Sequence, residues 1–287
     1  MLDAGRAWRA MAFDEAGPLL TIQATLARRA WRIGPAWAVL AGALASGASL
    51  LTGDAPLRLV GSVILADPAW GLLWRLATSG EDHAGASQRT PPGLPFAHPD
   101  APLARALHRM EQMSSAAAWH ELPMALALTA GLSVLLGPHA LALTVAGLVV
   151  LFIAWLAIAR VGQPALAYAL LSVGLPWTLG ALLAGGAGGF GLQLVLAGAF
   201  TLLMWGGQQV GRPAGRVWGV WLGQAAVLLA LVSLERPWAA AAAAVLCLPP
   251  GWWIASGRTG VSCMAARLAR SGPWWWAAMV VAAFAAR

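Results

Sequence analysis

Lysine is absent from this sequence, so all 18 basic residues are arginine. With alanine and glycine so abundant, that bias reads as a GC-rich coding sequence and carries no function. Charge of either sign is scarce. Only 10% of the 287 residues are charged and 60% are hydrophobic, whereas a soluble domain is about a quarter charged and about 45–50% apolar. A chain this poor in charge cannot solvate its own surface, which argues against a water-soluble domain. The short alternating segments of an outer-membrane barrel are missing as well. The expected class is all-α: a polytopic integral membrane helical bundle whose helices satisfy their own backbone polar groups.

Cysteine is nearly absent too. Cys247 and Cys263 are the two in the chain, and they form no CxxC. No iron–sulfur cluster or structural zinc held by this chain is expected. Cys247 lies in an apolar run and reads as a small hydrophobe. The sequence has no nucleophile elbow, no H-E-x-x-H and no P-loop. "HEL" at 120–122 lacks its second histidine, and "GGAGGFG" has neither a strand before it nor a Lys–Ser/Thr after it. The net charge of +7 is not gathered into basic clusters interleaved with aromatics, so it reads as membrane orientation rather than nucleic-acid binding.

What the chain does have is long apolar runs. A spanning helix needs roughly 20 such residues. Candidate spans fall at 34–52, 56–77, 121–136, 138–159, 163–184, 188–206, 216–234, 237–256 and 271–286. The third and ninth are short, which gives 8–9 transmembrane helices. Residues 1–33 lack a continuous apolar core, so no cleavable signal peptide is expected. They read as an interfacial amphipathic arm carrying Arg6, Arg9, Arg28, Arg29 and Arg32. The bundle is expected over 34–287, interrupted by a long loop at 78–120. Arginine is concentrated in the arm, in that loop and near 160, 208–216 and 257–270. This bias predicts a cytoplasmic N-terminus. Tryptophans near span ends, among them Trp37, Trp74, Trp119, Trp177, Trp238, Trp252 and Trp274 to Trp276, predict an interfacial aromatic belt. Small residues crowd "AGALASGAS" and "GALLAGGAGG" and predict close helix packing.

One stretch departs from this background. "HPDAPLARALHRMEQMSSAAAWHELP", His98 to Pro123, holds three of the five histidines and three of the eleven acidic residues. Within it, 101–113 has Leu103, Leu107 and Met110 at helical spacing and predicts an amphipathic helix lying on a membrane. Glu121 opens an apolar span, where a carboxylate is favoured by the helix dipole. The functional reading of the same residues is a polar site at the membrane surface. There His98 or Glu121 exchanges protons with a lipid-soluble quinone whose ring Arg105 holds, because quinone redox chemistry moves protons with electrons. His98, His108 and His120 lie in a loop or at an interface, which argues against haem ligation inside the bundle. Asp67 is a second oddity. It sits within the second span, where charge is costly and often functional. Pro68 follows it and is expected to break the helix, with Arg58 or Arg75, two turns away on either side, as compensating charges.

The stretch resembles the membrane-anchor subunits of the DMSO reductase group. His98 and Pro102 match the family's His-x-x-x-Pro, followed by Ala104, Arg105 and Ala106. Ser114, Ser115, Trp119 and Glu121 match its Ser-Trp-containing stretch that ends in Glu. "ARVGQPALAYALLSVGLPWTLGALLAGGAGG" is similar to the connection between spans four and five and to span five, and "PGWWIASGRTGVSCMAAR" to the end of the eighth span. The chain departs from the pattern in its loop at 78–97, in Pro99-Asp100 where Leu-Gly is usual, and in His120 where arginine is usual. The resemblance implies a non-catalytic subunit that binds no cofactor itself. It would dock the iron–sulfur subunit of a molybdopterin oxidoreductase, exchange electrons with quinone, and line the quinone site with His98, Arg105 and Glu121. A rival resemblance is to the intramembrane prenyltransferases, which share about nine helices and a cytoplasmic N-terminus. Their magnesium diphosphate needs aspartate-rich loops. Here the 2–3 loop offers Glu81, Asp82 and Asp100, and "GGQQVGRPAGR" in the 6–7 loop has no acid. That reading gives an isoprenoid- or lipid-handling protein without the aspartate-rich motifs.

Overall fold

A computed structural model describes residues 34–47, 50, 52–78, 116–161, 164–183, 190–210, 218–255 and 261–287. Among these residues there is helix and no strand. In chain order the helices are α1 (Pro35–Ala45), α2 (Ala55–Ile64), α3 (Trp70–Thr78), α4 (Ala116–Leu136), α5 (Pro138–Val161), α6 (Ala165–Ala169), α7 (Leu175–Leu183), α8 (Phe190–Val210), α9 (Trp218–Ser233), α10 (Pro237–Ala255) and α11 (Val261–Ala285). Two π turns, Leu65–Ala69 and Leu170–Gly174, join α2 to α3 and α6 to α7. Among the described residues the helices therefore form nine continuous rods, one over each predicted apolar run. The interfacial arm at 1–33 and the amphipathic helix at 101–113 lie outside the described residues.

The rods start and stop where backbone chemistry requires. Pro35 sits in the first turn of α1, where its missing N–H costs no hydrogen bond. Gly137, at φ 102°, ends α4 with its N–H on the Ser133 carbonyl, and Pro138 opens α5 at once. Glu235, at φ 57°, makes the equivalent turn before Pro237 and α10. α4 and α11, expected to be short, begin earlier than the apolar runs and reach 21 and 25 residues.

The rods pack in two consecutive sets. The rod α2–α3, α4, α5 and the rod α6–α7 pack on one another, and α8, α9, α10 and α11 do the same. α1 touches both sets, which also meet directly where α8 packs on the rod α6–α7. α1 packs most closely on α7 and also meets α2 and α11. The largest apolar core joins α1, the second π turn, α7 and the second set, with Trp177, Phe200, Leu196, Leu203 and Met279 fully enclosed. Cys247 is buried in that core as a free thiol.

Glycine sets the closest crossings. A Cβ on Gly42 would land on the Trp177 carbonyl, and one on Gly180 would land on the Val39 carbonyl. α1 and α7 thus touch backbone to backbone at a reciprocal pair. α8 and α9 meet the same way, with Gly206 against Gly219 and Gly223 against the Leu203 backbone. Gly219 and Gly223 are spaced as in a small-x-x-x-small face.

The outer surface is apolar. On α5, Leu141, Val145, Val149, Phe152 and Ile153 form one exposed stripe, with Phe152 57% exposed. Leu229 on α9 and Val245, Leu248 and Trp252 on α10 are exposed as well. A soluble monomer rarely shows such contiguous apolar area. Three helical stretches, Ala55–Trp74, Pro138–Ala157 and Ala165–Leu183, are long and apolar enough to cross a membrane.

The tryptophans divide between surface and core. Trp238 and Trp252 are exposed, but Trp74, Trp177 and Trp275 are buried. Trp177 stacks on Phe200 at 5.5 Å between ring centroids, and its N–H has an acceptor inside the bundle. A buried indole is tolerated once that donor is used.

Candidate functional site

Of the residues proposed from sequence, the structure describes the side chain of Asp67 alone. His98 and Arg105 lie outside the described residues. Glu121 lies in the second turn of α4, and its side chain is also outside the described set. The backbone still places it: the following turn, through Leu122 and Ala125, packs against Leu72, Leu73 and Leu76 near the end of α3. Glu121 is therefore at the end of the bundle where α3 leaves and α4 enters.

Asp67 is 5% exposed and lies on the first π turn. Pro68 was expected to break the helix, and it does not. Its ring clashes with an upstream carbonyl and it has no N–H to donate, and widening the ladder to i→i+5 relieves both problems while the rod continues. At about 1.5 Å per residue, Asp67 lies about 18 Å from the start of α2, near mid-length of the rod. Arg58 does not serve as its counter-charge. The Arg58 Nε donates to Asp54 Oδ2 at 2.7 Å, at the exposed start of α2.

The first π turn packs against α1, α4 and the second π turn. The second also lies against α8. A Cβ on Gly174 would be 2.7 Å from Thr201 Oγ1, so the Thr201 hydroxyl presses on that turn. Hydroxyls in this region are bonded to their own helices. Ser62 donates to the Arg58 carbonyl at 2.6 Å, Thr178 to Gly174 at 2.8 Å and Thr201 to Ala197 at 2.6 Å. The indole N–H of Trp70, one turn after Asp67, is buried without an acceptor. Near the start of α2, Ala43, Leu59, Ser62 and Gly180 help line a recess of about 10 Å³, room for about one water molecule.

Three polar links inside the bundle escaped the sequence reading. Gln193 on α8 accepts from Trp177 Nε1 at 3.2 Å and donates to the Ala45 carbonyl at 2.7 Å, tying α7, α8 and the end of α1 together. Gln224 on α9 donates to the Cys247 carbonyl at 3.2 Å. That carbonyl is next to those that Pro249 and Pro250 leave without a ladder donor. Ser133 and Thr144 join α4 to α5 at 2.7 Å. The signal for the glutamines was present: each is a lone amide within an apolar run. Gln193→Leu is expected to destabilise the protein by about 1–3 kcal/mol, because it strands the Trp177 donor and the Ala45 acceptor. Trp177→Phe should cost less in the Gln193→Leu protein than in the wild type, since the donor it removes is already stranded there. Thermal unfolding of the single and double variants in detergent checks this, and an equal cost of Trp177→Phe in both backgrounds would show that the amide does not bridge these groups.

Among the described residues, no group of three His, Cys, Asp or Glu side chains is placed to hold a metal ion. The chain matches no family model, no curated protein and no solved structure.

Proposed function

We propose that this chain is the membrane-anchor subunit of a respiratory molybdopterin oxidoreductase. It docks an iron–sulfur subunit and exchanges electrons with quinone. It is embedded through nine spans in a bacterial inner membrane with its N-terminus cytoplasmic. In this reading His98, Arg105 and Glu121 line the quinone site. Oxidising a quinol releases protons, and His98 or Glu121 receives them at the membrane surface. The observation that carries the proposal is the position of Glu121 at an end of an apolar-faced helical bundle, beside the stretch that holds His98 and Arg105.

The test is affinity purification of the full tagged chain from its native membrane in mild detergent, followed by mass spectrometry. The expected result is a stoichiometric iron–sulfur protein together with a molybdopterin protein. A chain that purifies alone with a polyprenyl lipid would overturn this reading in favour of isoprenoid handling.

A further inference from the structure

Charge is shared unevenly between the two ends of this bundle. After Glu121 the sequence contains a single acid, Glu235. Contacts show which elements share an end. Gln193, in the first turn of α8, holds the carbonyl of Ala45, the last residue of α1, so α1 starts where α8 ends. Trp205, in the last two turns of α8, meets Trp218 at the start of α9 edge-on at 5.7 Å. A Cβ on Gly251, late in α10, would touch the Trp221 ring at 2.9 Å. The end of α8, the start of α9, the end of α10 and the starts of α11 and α1 therefore lie together. Arg212, Arg216, Arg258, Arg267 and Arg270 fall at this end with no acid among them, whereas Glu235 and its neighbour Arg236 fall at the other.

We propose that this end of α8 to α11 is a binding surface for anionic phospholipid, with the headgroup phosphate on the arginines and the acyl chains along α10. The surface requires the membrane embedding proposed above, but neither quinone nor a partner subunit.

The charge pattern selects the class of lipid. Membrane orientation counts basic residues and is nearly indifferent to acids, so it accounts for the arginines and not for the lack of acids beside them. A zwitterionic headgroup brings an ammonium along with its phosphate. The ammonium needs a carboxylate, and these connections offer none. An anionic headgroup brings only the phosphate, which guanidinium groups hold through paired N–H donors. At the opposite end the pattern differs: Arg58 is paired with Asp54 at 2.7 Å.

The geometry places that charge at headgroup depth beside lipid-facing surface. Trp37, in the first turn of α1, lies edge-on to Trp276 at 4.9 Å. Arg270 and Arg267 precede Trp276 on α11 by about 9 and 14 Å at the helical rise, and so lie toward the water side of the first turn of α1. Positions 267, 270 and 274 share one face of α11 by helical spacing, and Trp274 is exposed. α10 packs along α11 and carries Val245, Leu248 and Trp252 at the same spacing, all exposed, with Trp252 at 72%. Trp218 and Trp221 are exposed at this end of α9. Indoles favour the level between headgroup and acyl chain, and basic surfaces between membrane helices hold anionic headgroups. A free phosphate or a soluble acidic peptide would leave the apolar stripe on α10 unused.

The test is tryptophan fluorescence of the purified full chain in phosphatidylcholine nanodiscs containing a rising fraction of phosphatidylglycerol with brominated acyl chains. Bromine quenches the indoles it touches, and brominated phosphatidylcholine is the comparison. Half-maximal quenching is expected at a phosphatidylglycerol fraction lower by at least about fivefold, the preference that one arginine near a membrane surface contributes. Arg267→Gln combined with Arg270→Gln should lose most of that preference. If this variant does not fold, Arg212→Gln with Arg216→Gln takes its place. Equal quenching by the two lipids in the wild type, a preference unchanged in the substituted chain, or displacement of the lipid by inorganic phosphate would each overturn the proposal. Absence of quenching by either lipid would overturn the membrane embedding itself.

Discussion

Replacing Gly180 by leucine is expected to separate α7 from α1 and to leave little folded protein to purify. A single Cβ at Gly180 already coincides with the Val39 carbonyl, and the facing Gly42 has the same relation to the Trp177 carbonyl. The obstacle is backbone on both sides, so no rotamer change relieves it. Gly180→Ala should cost about 1–3 kcal/mol, the usual range for overpacking, and the longer side chain of leucine considerably more. The damage would spread, because α1 contacts helices of both sets. Pushing it away also pulls the Ala45 carbonyl off Gln193. Gly71 and Gly198 supply the control, since a Cβ on either meets nothing within 4 Å. Alanine at those positions should be neutral or stabilising by up to about 1 kcal/mol, the helix propensity gained over glycine. Yield after size exclusion and thermal midpoint in detergent measure all four variants. A Gly180→Leu protein with wild-type yield and midpoint would refute the reciprocal crossing.

That crossing shows what the sequence reveals and what it hides. The nine apolar runs mark the nine rods, because length and hydrophobicity are local properties and Pro35, Gly137 and Pro138 fix the boundaries locally. α1 ends at Ala45, sooner than the run 34–52 suggests, because the Ser46–Gly47 turn places Gly47 at φ 74°. The small-residue segments announce close packing without naming partners. Gly42 meets the backbone of Trp177 and Ala181, far away in sequence, while Gly47 and Gly53 serve turns where a Cβ would meet nothing within 4 Å. The outcome at Pro68 was equally hidden. A proline inside a span can kink, break or widen a helix, and packing against the second π turn goes with the widened form. Asp67 was legible as an oddity because one acid in an apolar run stands out. Its neighbours from α1, α4 and the second π turn were not legible, since they come from three separate rods. The burial of individual tryptophans was hidden for a related reason. Proximity to a span end does not reveal which face of the helix the indole takes, and at Trp177 the deciding partner, Gln193, lies 16 residues further on.

Glu121→Gln combined with His98→Ala is expected to lower quinol-linked turnover of the intact complex by at least about 100-fold, the lower end of what a positioned acid–base group contributes. The complex should still assemble. Glutamine keeps the size of glutamate and removes its capacity to take a proton at cellular pH, while alanine at position 98 removes the other candidate acceptor. Among the described residues, the packing near the start of α4 includes Leu122 and Ala125 against Leu72, Leu73 and Leu76, and both substitutions leave those side chains in place. Two readouts separate chemistry from docking. Turnover with quinol reports the proton acceptor, and turnover with an artificial electron donor that reaches the iron–sulfur subunit directly reports whether the catalytic partners are present and competent. A loss confined to the quinol assay places proton transfer at this end of the bundle. A loss in both assays moves the role of the segment to subunit docking, and undiminished quinol turnover removes His98 and Glu121 from the site.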